Sequence, residues 1–142
     1  MSEESQIDPA TLQAYRETEF RVTGDAPMTL RLGQACASLA RLQLAHRVDC
    51  STFITACNPF SIELSDAENA ARQPALVEDL RKRSLTFFDG VGQHPSHNWP
   101  GEPSYLVLGL SFEAARTLGR RLEQNAIVWN GAGAVPELVL LR

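Results

Sequence analysis

The sequence predicts a single α/β or α+β domain, with a mixed sheet of five to seven strands covered by three or four helices. Three observations predict it. Seven short runs rich in β-branched and aromatic residues alternate with stretches whose apolar residues recur at helical spacing. The chain has 142 residues, a length that suits one compact domain better than two. No internal repeat, low-complexity tract or linker rich in Gly, Ser and Pro divides it, so residues 1–142 read as one unit.

Asp8 and Pro9 form a helix-start signal, and Leu12, Tyr15 and Arg16 continue that helix until the β-favouring Phe20 to Val22. A turn at Gly24 to Pro27 then leads to a return strand, Met28 to Leu32. Gln34 to His46 is rich in Ala and Leu with the spacing of a helix that hides one side. Thr52 to Cys57 is a strand ended by Asn58 and Pro59, because proline cannot donate to a ladder. Ser65 and Glu68 have the spacing of a capping box, which starts a helix running to about Arg83, with Pro74 kinking or restarting it. Leu85 to Phe88 is the next strand, closed by Gly90 and Gly92. Residues 93–104, QHPSHNWPGEPS, hold three prolines and no periodicity, and a long irregular segment of this kind is often functional. Tyr105 to Leu110 is a continuous apolar strand. Ser111 caps a helix whose Phe112, Ala115, Leu118 and Leu122 share one side. Ala126 to Trp129 and Glu137 to Leu141 finish as a hairpin.

Composition narrows the function classes. With 44% apolar and 21% charged residues the chain lies outside the range that leaves a polypeptide disordered. A net charge of −4 gives no overall positive field, which disfavours nucleic acid as a partner. The start, MSEESQIDPA, lacks the basic and apolar segments of a secretory signal, and residues 1–7 read as a disordered terminus. No apolar run approaches the roughly 20 residues of a membrane span. Cys36, Cys50 and Cys57 are odd in number and form no C-x-x-C unit, as free thiols of a cytoplasmic protein would be. Lys82 is the single lysine among 13 basic residues, a bias that codon usage explains as readily as selection for bidentate arginine contacts.

The segments FITACNPFS (53–61), SDAENAA (65–71), WPGEPSYLVLGL (99–110) and LGRRLEQNAIVW (118–129) resemble DUF3293, a family of small bacterial proteins of unknown function. The resemblance covers most of the chain after residue 50. It implies a small single-domain bacterial protein and carries no established activity. The family pattern often has an aromatic residue where this chain has Cys57, and a phenylalanine-like one where it has Glu123, which counts against a family role for Cys57.

Five polar residues at predicted element boundaries are the candidates for chemistry. Asn58 stands where a strand ends, able to offer a ligand both donor and acceptor, although Asn before Pro also initiates turns. Asn69 lies in the first turn of a helix, where N–H groups meet anions. Glu102 and Ser104 precede the most apolar strand, where burial raises a carboxyl pKa toward acid–base work; the competing reading is a solvated loop. Gln124 ends a helix, where its amide serves a ligand or ties off orphan carbonyls. Strand ends should gather Asn58, Asn69, Glu102 and Gln124 beside Phe60 and Trp99.

The remaining motifs point to ordinary structure. His94 and His97 lack further ligands at metal spacing, so no metal is expected. A Cys57–His–Asn58 nucleophilic set can be drawn on paper, but a buried strand cysteine explains Cys57 better. Arg81 to Arg83 and Arg120 to Arg121 sit at helix ends, where cations meet the negative end of the dipole. Gly90 and Gly92 lack the context of a dinucleotide loop. The reading is therefore a pocket of Asn58, Asn69, Glu102, Ser104 and Gln124 for a small polar ligand, with Glu102 the catalytic candidate. The alternative is a non-catalytic interaction module using the 93–104 loop around Trp99 or the arginine-bearing helices. The sequence leaves cofactor and oligomeric state unknown.

Overall fold

The computed structural model describes residues 6–94 and 101–142, within which the chain forms four α-helices and seven strands. Helix α1 (Pro9–Glu17) starts at the Asp8–Pro9 signal. Strands β1 (Glu19–Val22) and β2 (Met28–Leu30) form the first hairpin. Helix α2 (Ala37–Ala45) starts later than its sequence pattern, because the N–H groups of Gly33 and Cys36 donate instead to Pro136 and Ala134 carbonyls. Strand β3 (Ser51–Ile54) is buried throughout. A 3-10 turn (Pro59–Ser61) leads to α3 (Asp66–Lys82), whose capping box is formed: Ser65 Oγ accepts from the Glu68 N–H at 3.1 Å. Pro74 lies inside α3 without ending it. Strands β4 (Phe87–Gln93) and β5 (Glu102–Leu108) precede α4 (Phe112–Arg121), capped by Ser111, and the hairpin of β6 (Ala126–Asn130) and β7 (Pro136–Leu140). On α4, Ala115 and Leu118 are core residues, whereas Phe112 sits at the rim against Trp129. Of the expected disordered segment, residues 1–5 lie outside the described residues and Ile7 is buried.

Strand β3 ends at Ile54, short of the expected Cys57, and β4 and β5 also differ from the sequence reading. Strand β4 runs through Gly90 and Gly92. A Cβ at Gly90 would stand 2.7 Å from the Phe53 ring and 2.8 Å from the Arg21 carbonyl oxygen, so close approach requires the glycine there, not a turn. Strand β5 begins at Glu102, which places Glu102 and Ser104 on a strand and not on a loop.

The strand order is β2-β1-β4-β5-β3-β6-β7, and all six ladders are antiparallel. The predicted layered class stands in its α+β form, with the seven strands antiparallel throughout and the α3 and α4 connections each skipping a strand. Strands β3 and β4 run the same way on either side of β5 and are joined by α3; β5 and β6 flank β3 and are joined by α4. The carboxyl end of β3 and the amino ends of β5 and β6 therefore meet at one end of the sheet.

Alternation along the inner strands makes two cores. Phe53, Leu106, Leu108 and Val128 face Phe20, Val22, Leu30 and Leu39 of α2. Ile54, Val107 and Ile127 face Leu76 and Leu80 of α3 and Ala115 and Leu118 of α4. Each such aliphatic side chain contributes about 1.5–3 kcal/mol on burial. The sheet curls until the chain after β2 reaches β7, with the Gly33 N–H 2.9 Å from the Pro136 oxygen, and this covers part of an otherwise open edge.

A neutral polar cluster closes the amino end of β3. Ser51 Oγ donates to Gln43 Oε1 at 2.7 Å, Gln43 Nε2 donates to the Gly131 carbonyl, and Asn130 Nδ2 donates to Ser51 Oγ at 3.1 Å. Asn130 Oδ1 is buried without a hydrogen-bond partner. No helix among the described residues is long and apolar enough to cross a membrane.

Candidate functional site

Beyond β3 the chain stays buried through Cys57 and is held beside β5 by Thr55, whose Oγ1 donates to the Pro103 carbonyl at 2.7 Å. It then turns sharply at Asn58, which adopts a left-handed backbone (φ 49°, ψ 66°) that asparagine tolerates better than most residues. The turn gives Asn58 four hydrogen bonds to three residues. Its backbone N–H donates to Asn69 Oδ1 at 3.0 Å, and its Nδ2 donates to Glu102 Oε2 at 2.9 Å. Its Oδ1 accepts from the Leu64 N–H and from Asn69 Nδ2, both at 2.9 Å. Asn69 is delivered by the first turn of α3, and Glu102 by the first residue of β5.

Glu102 is half-buried, and no cation pairs with it among the described residues. Burial pushes its carboxyl above the usual range, while the hydrogen bond from Asn58 pulls the other way. Ser104 and Gln124 are buried nearby but serve the backbone. Ser104 Oγ donates to the Glu102 carbonyl at 3.0 Å, and Gln124 Nε2 donates to the carbonyls of Cys57 at 3.0 Å and Leu122 at 3.3 Å. Thus Asn58, Asn69 and Glu102 touch through their side chains, whereas Ser104 and Gln124 position the segments that carry them.

Two residues of the site escaped the sequence reading. Gln73 Oε1 accepts from the Ala56 N–H at 2.8 Å while its Nε2 donates to the Pro103 carbonyl at 3.0 Å, which stitches β3 to β5. Arg72 donates to the carbonyls of Ala56 and Leu122 and lies 3.7 Å from Glu123. The signal was present: Asn69, Arg72, Gln73, Leu76 and Leu80 form one i, i+3, i+4 stripe on α3, the face that turns inward. Backbone strain concentrates here as well. Asn58, Phe60 and Glu123 all have positive φ, and the Phe60 N–H donates to the Glu123 carbonyl at 2.6 Å.

The weaker motifs are accounted for in part. His94 Nε2 lies 3.4 Å from Glu17, while His97 and Trp99 lie outside the described residues, as does half of the 93–104 segment. No group of three His, Cys, Asp or Glu side chains suited to a metal occurs among the described residues. Burial pushes the Cys57 thiol up, which keeps it protonated and a poor nucleophile.

The family model for a protein of unknown function, DUF3293, matches residues 54–127, just over half of the chain. The chain belongs to the DUF3293 family. No curated protein and no solved structure matches it. The part matched to DUF3293 contains Asn58, Asn69, Glu102, Ser104 and Gln124, together with Arg72 and Gln73.

Proposed function

We propose that this protein binds a small polar ligand at the Asn58–Asn69–Glu102 cluster, with Ser104 and Gln124 fixing the surrounding backbone. Glu102 carries the reading. A half-buried carboxyl bonded to one neutral amide lowers the stability of a fold, and such groups concentrate where function requires them. A ligand bearing an N–H or cationic group would complete its hydrogen bonding, and the amides would set the orientation. Of the three side chains only Glu102 carries an ionisable group, and burial raises its pKa, so we assign it the acid–base role in any turnover. We place the protein in a reducing cytoplasm, a reading supported by its three free cysteines.

Native mass spectrometry of the protein purified from its own cells tests the proposal. The wild type should carry a non-covalent small molecule that Glu102→Gln loses without a drop in thermal midpoint. A wild type that carries nothing, or a Glu102→Gln variant that keeps the molecule, overturns it.

A further inference from the structure

A second feature lies on the helix-covered face, away from the Asn58 cluster. An open cleft of about 530 Å³ runs between α3 and β5, lined by Gln73, Pro74, Val77, Glu78, Arg81 and Tyr105. The Gln73 amide, engaged at both ends with Ala56 and Pro103, lines one side of this cleft. Pro74, Val77 and the Tyr105 ring give an apolar surface, and that ring packs edge-on against Phe87 at 5.5 Å.

The charges around the cleft follow from helical spacing. Lys82 stands four residues after Glu78 and pairs with it at 3.4 Å; Arg83 stands four after Asp79 and pairs at 3.3 Å. Arg81 stands four after Val77, which offers no acid. Among the described residues its guanidinium makes no ion pair or hydrogen bond, yet it is close enough for its charge to act on the Tyr105 hydroxyl. That hydroxyl also makes no hydrogen bond, and burial keeps it protonated and hence a donor. The nearby acids are Glu78, held by Lys82, and Asp89, opposite Tyr105 in the β4–β5 ladder.

We propose that this cleft is a second binding site, for a small monocarboxylate with an apolar body. Arg81 receives the carboxylate, for which a guanidinium fork is suited, and the Tyr105 hydroxyl donates a further hydrogen bond. The apolar body lies over Pro74 and Val77. The cleft volume is within the range of small-molecule sites, and Glu78 and Asp89 disfavour a second negative charge on the ligand. This site is independent of the Glu102 reading: the two share only Gln73, whose amide is bonded to the backbone, and the carboxylate contacts use none of Asn58, Asn69 and Glu102.

The test is an NMR titration of the full chain with 3-phenylpropionate, using 3-phenylpropionamide as the neutral probe of the same shape. Saturable shifts should appear at the amides of Val77, Glu78, Arg81 and Tyr105, with the amide probe binding at least about tenfold more weakly. Arg81→Met, which keeps an apolar stem at an exposed position and so should leave the unfolding midpoint unchanged, should weaken the acid by about tenfold or more, and Tyr105→Phe by a smaller factor. Equal binding of acid and amide, unchanged affinity in Arg81→Met, or the absence of saturable shifts overturns the proposal. Shifts centred on Asn58 and Glu102 would overturn it too, while leaving the reading of that cluster intact.

Discussion

The two ends of β3 carry polar clusters of similar make-up and opposite character. At the amino end Gln43, Ser51 and Asn130 are sealed from water and neutral, and they tie α2 to β3 and β6. At the carboxyl end Asn58 and Asn69 make a comparable set of amide hydrogen bonds, but the third member is a carboxylic acid that has lost much of its water without gaining a cation among the described residues. The neutral amides at the amino end fix packing even though Asn130 Oδ1 has no partner among the described residues. A desolvated acid weakens the fold that holds it. Polarity alone therefore does not tell the two clusters apart; the ionisable group held away from water does.

Breaking the amino-end cluster should cost most. Ser51→Val leaves Gln43 Oε1 without its donor and removes an acceptor from Asn130, a loss of about 2–4 kcal/mol read by urea unfolding. A change under about 0.5 kcal/mol would mean that this cluster does not hold α2 in place. At the other end, Asn58→Ala should cost about 2–3 kcal/mol. Asn58→Gly should cost about 1 kcal/mol less than that, because glycine keeps the left-handed backbone while losing the same side-chain bonds. Equal losses would show that the turn is not strained.

The smallest effect, and the one that separates the two ends, belongs to Glu102→Gln, expected to be stabilising at neutral pH by no more than about 1 kcal/mol. Its sign follows from the raised carboxyl pKa. The folded state holds the Glu102 proton to higher pH than the unfolded chain does, so wild-type stability falls as pH rises from the unfolded value through the folded one. Glu102→Gln removes that contribution, and the two proteins should converge in stability below this window. Parallel pH profiles for the two would sink the account of Glu102 as a desolvated acid.

Much of the fold was legible because local chemistry declares itself. The Ser65–Glu68 box, the Ser111 cap and the apolar alternation of β3 and β5 each have a short-range cause. What was not legible depends on partners far away in the chain. The Gly90 and Gly92 pair looks like a turn until Phe53 is placed beside it. Period-two alternation says which way a side chain points but not which strand lies alongside, so antiparallel ladders with split crossovers could not be told from adjacent parallel ones. The convergence of Asn58, Asn69 and Glu102 was expected from their positions at element boundaries, and the contact arises where β3 ends and β5 begins. Arg72 and Gln73 were passed over because exposed-looking polar residues inside a helix give no sign, taken singly, that they face inward.

The position of β3 between β5 and β6 also sets an order of events. Ser51 pairs with Leu108 on one side and Asn130 on the other, so an early strand must wait for most of the chain before either flank is filled. The β1–β2, β4–β5 and β6–β7 hairpins close over short distances, but the sheet cannot be completed until these non-local pairings form. Folding on the scale of ~milliseconds to seconds is the expectation for such a topology. During that wait the apolar edge of Phe53 and Ile54 stands open to other chains, which makes the interval before β6 docks the period of greatest aggregation risk.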